Sequence, residues 1–369
     1  MYRVPFLSLE RQHQSIERKL KGAILKTIQS GRFVSGDEVN SFEDEFAAYQ
    51  KTRYCAAVGN GHDAILISLK ALGIGRGDEV IVPSHTCQAT WLAVLNAGAK
   101  PVPAEVDPMT YNIDPLQIEN VITPRTRAIV PVHLYGHPCV MDRIIAIAKK
   151  DNLFVAEDNA QAQGATFKNK MTGSWGHCNA TSFYPTKNLG ALGDGGAIVT
   201  NDKRAYQFAR AFRNYGSEKR DEHVIAGVNS RLDELQAAVL RIKLRKLEEW
   251  NRKRRQNATS YLRELYNVED IQLPPGESEV VRPVFHLFVI QTTHRAKLKK
   301  FLEKKGIETA IHYPVAVHLQ KAFGHLGYKK GSLPIAEKLS NEVLSLPIWP
   351  GLKKEEIEKV CGEIRNYFK

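Results

Sequence analysis

Short apolar runs alternate with amphipathic stretches between about residue 54 and residue 200. Runs of this length that end in turn residues are typical of buried strands, whereas the stretches between them have helical spacing. The predicted strands span residues 54–58, 79–83, 101–106, 127–133, 153–157, 181–184 and 196–200. The predicted helices between them include residues 62–72, 88–97 and 141–149. This alternation predicts a mostly parallel sheet covered by helices, an αβα arrangement.

The pattern changes toward the C-terminus. A long amphipathic helix is predicted over about residues 232–251, followed by a polar loop at 274–280, a strand at 284–292 and helices at 295–305 and 353–368. We therefore predict a large domain over residues 1–245, which includes the N-terminal segment, and a smaller α+β domain over residues 246–369.

Length and composition predict a globular protein with a full core, because 43% of the 369 residues are hydrophobic. The sequence has no run of about 18 apolar residues, and its N-terminus lacks the features of a secretory signal. We therefore expect a cytoplasmic protein without a membrane partner. Five scattered cysteines without CxxC spacing indicate neither a zinc site nor a disulfide framework, and we expect no metal.

The formal net charge of +12 would assist binding to an anionic partner. Many of the basic residues lie in residues 241–255 and 297–305, where amphipathic helices are predicted. We expect these charges to lie on the outer, solvated faces of the helices. Zinc-finger spacing and an RNA-recognition signature are both missing from the sequence, so we do not expect a nucleic-acid partner.

A single lysine, Lys187, lies among small, aromatic and glycine residues in SFYPTKNLGALGDGG. Asp158 precedes it, directly after the apolar run LFVA and Glu157. An amine and an acid of this kind are what pyridoxal 5′-phosphate (PLP) requires. The amine forms a Schiff base with the cofactor aldehyde, and the acid keeps the pyridine nitrogen protonated. A flexible loop lysine and an ordinary salt bridge are the alternatives for these two residues.

Gly59 and Gly61, in VGNGHDAI, lie between a predicted strand and a predicted helix. Backbone N–H groups at a helix start can bind a phosphate, although glycine is also the default residue of a tight turn. Ser182 could add a hydroxyl to this site, or could be satisfied by backbone groups. Gln161 could bind the hydroxyl of the cofactor ring, or could be a solvated loop residue. Because these motifs follow strand ends, we expect them to meet in one cleft.

Further stretches extend these motifs over nearly the whole chain: FVSGDEVNSFEDEFAAY, VGNGHDAI, GDEVIVPSHTCQATWLAV, IVPVHLYGH, VAEDNAQAQGA, SFYPTKNLGALGDGGAIVT, FRNYGS, VNSRLDELQAAVLRIKL, GIETAIHYPVAVHLQKAF and LSLPIWP. Together they resemble the DegT/DnrJ/EryC1/StrS family of PLP-dependent sugar aminotransferases, a branch of the fold type I aminotransferases. The resemblance is strongest to the subgroup that aminates carbon 3 of nucleotide-linked 3-keto-6-deoxyhexoses. It implies a large αβα domain with a mostly parallel mixed sheet and a smaller C-terminal α+β domain.

The resemblance implies cofactor roles for the candidate residues. Lys187 would be the Schiff-base lysine, Asp158 the partner of the pyridine nitrogen and Gln161 a contact of the ring oxygen. The cofactor phosphate would be bound by several polar groups, namely Ser182, the backbone N–H groups around Gly61 and His62, and Asn229 of the partner subunit. Each active site would then be shared across a two-fold homodimer.

The chain differs from many relatives at two positions. They have threonine or serine where this chain has His62, and an aromatic residue where it has Cys87. The first difference removes a hydroxyl from the phosphate site. The second removes the ring expected to stack on the pyridine, which leaves His85 or another aromatic residue to cover it. A few relatives that replace the lysine with histidine are dehydratases, so the presence of Lys187 favours transamination.

The implied activity is transfer of an amino group from L-glutamate to a nucleotide-linked 3-keto-6-deoxyhexose. We expect the nucleotide to be dTDP. The products would be a 3-amino-3,6-dideoxyhexose nucleotide and 2-oxoglutarate. Arg231 is a candidate for binding an acidic group of the donor or of the sugar nucleotide, and His312 and Tyr313 match a segment near the sugar site. The alternatives are amination at carbon 4, another PLP reaction on a nucleotide sugar, and a non-enzymatic PLP-binding regulator.

Overall fold

The computed structural model describes residues 3–219 and 221–369 of the chain. Helices α1 to α13 are, in chain order, Leu9–His13, Glu17–Ser30, Asp37–Gln50, Gly61–Ala71, Gln88–Asn96, Pro115–Glu119, Met141–Lys150, Lys203–Phe212, Glu234–Leu244, Leu247–Leu265, Arg295–Lys304, Pro334–Glu342 and Lys354–Phe368. Strands β1 to β14 are Tyr54–Val58, Glu79–Pro83, Lys100–Ala104, Thr126–Ile129, Phe154–Val155, Thr166–Phe167, Lys170–Met171, Cys178–Ser182, Gly196–Thr200, Ser217–Lys219, Glu222–His223, Val281–Arg282, Phe288–Gln291 and Val343–Leu346. Within these described ranges, no helix is long and apolar enough to cross a membrane.

The central sheet has the strand order β3-β2-β4-β5-β8-β9-β1. Strands β3, β2, β4 and β5 pair in parallel, whereas β9 runs antiparallel to its neighbours β8 and β1. Asp158 joins these two groups, because it makes parallel bridges with Val132, which follows β4, and with Ala180, in β8. The mostly parallel mixed sheet predicted from the sequence is confirmed.

Helices cover both faces of this sheet. Alternate residues of a strand point to opposite faces, so both sets of side chains in the central strands are buried. In β1, Ala56 and Val58 pack with α4, α5 and α8, whereas Cys55 and Ala57 pack with α3 and α9. On the parallel side, Ile81 belongs to a core that includes α6 and α7. This αβα layering explains why the strands are short, continuous apolar runs.

The C-terminal part of the chain has a core of its own around the antiparallel pair β13 and β14. Helices α10, α11 and α13 contribute Tyr261, Leu298 and Ile357 to it. Val4 packs into the same core and bridges in parallel with Ile307, so the first described residues lie with the C-terminal part. The domain boundary near residue 245 stays a prediction.

The helix predicted over residues 232–251 is two helices, since α9 ends at Leu244 and α10 begins at Leu247. α9 packs against α3, whereas α10 places Tyr261 in the C-terminal core. The strands predicted at 181–184 and 284–292 also have other bounds, because the chain leaves the sheet after Ser182 and pairs with β14 only over Phe288–Gln291.

Three basic side chains within residues 241–255 are buried, which contradicts the prediction that these charges lie on solvated faces: Lys243, Arg254 and Arg255. The Lys243 ammonium donates to the carbonyl oxygen of Gly190 at 2.7 Å, and burial lowers its pKa to about 8. Arg254 donates to the carbonyl oxygens of Phe285, His286 and Ile348 at 2.9–3.2 Å. Backbone acceptors thus replace water around Lys243 and Arg254, whereas Arg255 pairs with the Glu248 carboxylate at 2.9 Å, and these partners keep the burial of the three cations tolerable.

We predict that Glu234→Ala destabilises the protein by about 3 kcal/mol. The buried Glu234 carboxylate accepts hydrogen bonds from the backbone N–H groups of Gly36, Glu38 and Val39 at 2.8–3.0 Å. These are the donors that the start of α3 leaves unpaired, and the variant would leave them without an acceptor. Urea unfolding monitored by circular dichroism measures the loss.

The control for this prediction is Glu249→Ala. The Glu249 carboxylate pairs with Lys246 and Lys253 on a partly exposed surface, at 2.9 Å in both cases. Such pairs contribute about 1 kcal/mol or less. If both variants unfold at the same urea concentration, the proposed cap of α3 by Glu234 is wrong.

Candidate functional site

Asp158 is buried in the middle of the central sheet. Its carboxylate accepts hydrogen bonds from the Thr90 hydroxyl at 2.9 Å and from the Ala160 N–H group at 3.1 Å. Burial raises the pKa of Asp158, while these hydrogen bonds and the charge of Lys187 act in the opposite direction. No basic side chain of the described residues forms an ion pair with Asp158 within 4 Å. The site therefore holds an oriented acid without a basic side chain as its direct partner.

Glu157, the other acid of the predicted pair, has a separate environment. Its fully buried carboxylate accepts hydrogen bonds from the backbone N–H groups of Gly173, Trp175 and Gly176 at 2.6–2.8 Å. It also contacts Nε2 of His133 at 2.8 Å. Because the Cys139 N–H group donates to Nδ1 of His133, the ring proton is on Nε2 and is donated to Glu157. Glu157 thus anchors a loop, and Asp158 alone is available for site chemistry.

Lys187 lies in the loop after β8 and is partly buried. Its amine makes no hydrogen bond or ion pair within the described part of the chain, whereas its backbone N–H group donates to the carbonyl of Tyr184 at 2.8 Å. Burial lowers the pKa of Lys187, while Cys87 and Asp158 raise it through their charges. Because each of the two groups shifts the pKa of the other, the Lys187 amine and the Asp158 carboxyl group interact electrostatically and belong to one site.

The end of β8 lies against the start of α4. A Cβ atom added to Gly61 would be 2.5 Å from Cβ of Ser182, so a side chain at position 61 would prevent this approach. The backbone N–H groups of Gly61 and His62 have no acceptor among the residues that the structure describes. Together with the Ser182 hydroxyl, they form a set of donors at a helix N-terminus, which suits a phosphate group.

The side chain of His62 takes no part in this set of donors. Its Nε2 accepts a hydrogen bond from the Asn96 amide at 3.0 Å, so its Nδ1 carries the proton and donates to Asp63 at 3.0 Å. Both ring nitrogens are therefore engaged. Only the backbone N–H group of His62 is available to a ligand.

Gln161 and Tyr313 are brought together near Cys87. The Gln161 carbonyl oxygen accepts the backbone N–H of Tyr135 at 2.6 Å, and its amide nitrogen donates to the Tyr313 hydroxyl at 3.3 Å. Burial raises the pKa of Tyr313, and Cys87 acts in the same direction. The neighbouring His312 has its pKa lowered to about 4, first by burial and then by the charge of Lys187. The segment that contains His312 and Tyr313 therefore borders the site of Lys187.

Two aromatic side chains near Cys87 are candidates to cover the pyridine ring. His85 is buried and donates from Nε2 to the Tyr135 hydroxyl at 2.9 Å, because that hydroxyl itself donates to the carbonyl of His312. Tyr313 is the second aromatic residue. The prediction that His85 or another aromatic ring covers the pyridine therefore stays a prediction with these two candidates.

Asn229 and Arg231 flank Ser230, whose hydroxyl accepts a hydrogen bond from the Gly59 N–H group at 3.0 Å, next to the start of α4. The side chain of Asn229 is exposed, while the adjacent Ser230 is buried and donates to Asp63 at 2.7 Å. Arg231 donates to the Asn214 side chain at 2.9 Å and lines a surface cleft of about 830 Å³. Among the described residues, neither side chain forms a hydrogen bond or ion pair with Lys187.

Several residues that hold the site are not among those predicted from the sequence. Thr90 lies in one of the stretches that carry the family resemblance. It follows Cys87 by three residues at the start of the same helix, and this spacing is a signal in the sequence. Asn251 and His286 bond the Asn188 side chain from 63 and 98 residues away, respectively. They gave no local signal, because they lie inside segments whose pattern predicts only a helix and a strand.

Comparisons with known proteins match nearly the whole chain. A model of the DegT/DnrJ/EryC1/StrS aminotransferase family matches residues 14–365. The erythromycin biosynthesis sensory transduction protein EryC1 of Saccharopolyspora erythraea is 48% identical, over 98% of this chain and 99% of that protein. The dTDP-3-amino-3,6-dideoxy-alpha-D-galactopyranose transaminase of Aneurinibacillus thermoaerophilus is 47% identical over 99% of both chains. The crystal structure of Streptomyces venezuelae DesV with a ketimine intermediate has a TM-score of 0.98 at 46% identity, covering 100% of this chain and 99% of that one.

We predict that, in protein free of any ligand, Lys187 reacts with an amine-directed reagent with a pH midpoint below the ordinary lysine pKa of 10.5. Burial disfavours the charged ammonium, so the neutral, nucleophilic amine is populated at lower pH. Mass spectrometry of the labelled peptide over a pH series gives the midpoint. The control is the synthetic peptide SFYPTKNLG under the same conditions, and a midpoint at or above that of the peptide would contradict the prediction.

Proposed function

The chain belongs to the DegT/DnrJ/EryC1/StrS aminotransferase family, and from this we propose that it aminates carbon 3 of a nucleotide-linked 3-keto-6-deoxyhexose. Its cofactor is pyridoxal 5′-phosphate. The proposed amino donor is L-glutamate and the proposed nucleotide is dTDP. The products are then a 3-amino-3,6-dideoxyhexose nucleotide and 2-oxoglutarate. The name of the relative from A. thermoaerophilus, a dTDP-3-amino-sugar transaminase, supports this substrate class.

The observation that carries the proposal is the pair of Lys187 and Asp158. Among the described residues, the Lys187 amine has no ion pair and interacts electrostatically with a buried carboxylate, whose only donors there are a hydroxyl and a backbone N–H group. A buried carboxylate normally requires a cationic partner. A protonated pyridine nitrogen would meet that requirement, so this acid fits the cofactor.

The phosphate of the cofactor also fits the residues present. The close approach of Gly61 to Ser182 leaves two backbone N–H groups and one hydroxyl around the start of α4. The positive end of the helix dipole favours an anion there. We assign the phosphate to Ser182 and to the backbone of Gly61 and His62, and the ring oxygen to the amide of Gln161.

When bound, the cofactor supplies an aldehyde that reacts with amines and a ring that withdraws electrons. We assign Lys187 as the residue that attaches the cofactor and, with its amine released, as the base that removes the proton from the α-carbon of the amino donor. Its lowered pKa favours the neutral amine that both roles require. Asp158, oriented by Thr90 and Ala160, holds the proton of the pyridine nitrogen.

The remaining candidates are assigned to the substrate and to a second subunit. His312 and Tyr313 border the Lys187 site and are assigned to the sugar, and Arg231 to an acidic group of the donor or the nucleotide. Because Asn229 is exposed, we propose that it reaches the cofactor phosphate of the partner subunit in a homodimer. A cytoplasmic location is part of the same proposal.

Two other functions are tested against this one. Amination at carbon 4 would use the same residues and a different sugar orientation. A non-enzymatic regulator is suggested by the name of the S. erythraea relative, which refers to sensory transduction. The products of the reaction with glutamate separate all three, because a regulator releases no 2-oxoglutarate and NMR locates the new amine.

We predict that the protein forms a 3-amino sugar nucleotide and 2-oxoglutarate from dTDP-3-keto-6-deoxyglucose and L-glutamate. Lys187→Ala should lower turnover by at least about a thousandfold, because both the attachment of the cofactor and the proton transfer depend on this amine. Exposed Lys300→Ala is the control and should retain the wild-type rate. An inactive wild-type protein, a carbon-4 amine or an active Lys187→Ala variant would each contradict a named part of the proposal.

We predict that mixing two inactive variants restores activity, because each site takes residues from both subunits. Lys187→Ala and Asn229→Ala homodimers should each be impaired. A hybrid dimer has one site with both residues intact, so random mixing should recover about a quarter of the wild-type activity. Turnover after mixing and re-equilibration measures the recovery, and chemical cross-linking confirms that hybrids formed. Hybrids without recovered activity would show that Asn229 does not act across subunits.

A further inference from the structure

We propose that Asn251, in α10, is a positioning residue that holds the loop of Lys187 and the end of β8 in register through one directed chain of buried amide groups. The proposal rests on the function proposed for Lys187 and Ser182. Asn251 is fully buried and lies far from both residues in sequence. It acts through Asn188 on one side and through Gln163 on the other.

The first arm reaches the residue next to Lys187. The Asn188 amide nitrogen donates to Oδ1 of Asn251 at 2.8 Å and to the carbonyl of Val284 at 3.2 Å. Its oxygen faces Nδ1 of His286 at 3.1 Å, and because both amide hydrogens are already used, His286 is the donor. Every strong hydrogen-bonding group of the Asn188 side chain is therefore engaged. The backbone of Lys187 is fixed by its neighbour.

The second arm reaches the phosphate side of the site. The Asn251 amide nitrogen donates to the carbonyl of Gln163 at 2.8 Å. The Gln163 side chain in turn donates to the carbonyl of Ser182 at 2.7 Å and lies 3.3 Å from the carbonyl of Ala160. Ala160 is the residue whose N–H group holds the Asp158 carboxylate. The chain of amides thus touches the backbone beside three residues assigned to the cofactor.

The hydrogen bonds of this series of amides all run in one direction, and the side chains have little room to move. Hydrogen bonds run from His286 to Asn188, then to Asn251 and then to the Gln163 carbonyl, so reversing any one amide would place like groups against each other. The Asn251 amide is also closely packed, since a Cβ atom on Gly164 would be 2.5 Å from its nitrogen. A shift of the Lys187 loop would therefore leave buried polar groups without partners, which is costly.

Helix α10 also holds the donor end of this series of hydrogen bonds, at His286. Arg254, three residues after Asn251, donates to the carbonyl oxygens of Phe285 and His286 at 3.2 Å. The backbone that carries the His286 ring is therefore tied to the same helix as Asn251. Because α10 packs in the C-terminal core, this rigid element transmits the position of that core to Lys187.

The test is Asn251→Asp, which keeps the shape of the side chain. The aspartate can still accept from Asn188, but it loses the donor to Gln163 and places an oxygen against that carbonyl. The matched control is Asn257→Asp on the same helix, which loses one donor to the carbonyl of Trp349, made at 3.0 Å. Both variants are purified as the complete protein with its cofactor, and circular dichroism and thermal melting establish that they are folded.

We expect Asn251→Asp to weaken PLP binding by about tenfold or more, the effect of breaking buried hydrogen bonds around the site. The pH midpoint of the visible absorbance of the bound cofactor should shift, because it reports on the Lys187 nitrogen. kcat should fall by about tenfold, while KM for L-glutamate should change by less than about threefold. Asn257→Asp should remain within about twofold of wild type in every readout. Equal behaviour of the two variants would overturn the proposal.

If Asn251→Asp does not fold, His286→Phe gives the same test from the donor end of the hydrogen-bonded series. It removes the donor to Asn188 and keeps a planar ring. Unchanged PLP binding and an unchanged absorbance midpoint in this variant would also overturn the proposal. Failure of the function itself is seen separately, in the wild-type protein and in Lys187→Ala, so the two proposals are distinguishable.

Discussion

The pairing of Asp158 with two strands at once is the constraint on which the rest of the site depends. Its backbone bridges Val132 on one side and Ala180 on the other, and so joins the parallel strands to the group that contains β9. The carboxylate is thus placed by formation of the sheet itself and needs no flexible loop to present it. The two neighbouring acids therefore have different roles. The Glu157 carboxylate accepts hydrogen bonds from Gly173 and Trp175 and so anchors their loop.

The loop of Lys187 is held from several directions by elements that cover the sheet. Helix α10 binds Asn188, the buried ammonium of Lys243 in α9 binds the carbonyl of Gly190, and Gln236 of the same helix accepts the N–H group of Leu192. A loop held in this way keeps the backbone of Lys187 in one position, which suits the catalytic role proposed for this residue. The loop has little regular secondary structure, yet tertiary hydrogen bonds make it part of the core.

The sequence predicted those parts of the structure that have a local signal. Strands at Tyr54–Val58, Glu79–Pro83 and Gly196–Thr200 have the predicted bounds, because their residues are apolar on both faces. Lys187 and Asp158 stand out because each is a charged residue within or directly after an apolar or glycine-rich segment. Asn251 and Arg254 could not be predicted in the same way. Their partners are backbone carbonyl oxygens and amides that are distant in sequence, and on a helix of alternating charge they look like any solvated residue.

The donors around the start of α4 are mostly main-chain groups, and this has a consequence for how the family can change over time. A backbone N–H group is present whatever the side chain, so position 62 contributes to the proposed phosphate site without depending on its residue type. Histidine can occupy it by turning its ring to Asp63 and Asn96. Gly61 is different, because any side chain there would collide with Ser182. Two neighbouring positions of one turn therefore differ in their tolerance of substitution: position 62 accepts different residue types, whereas position 61 requires glycine.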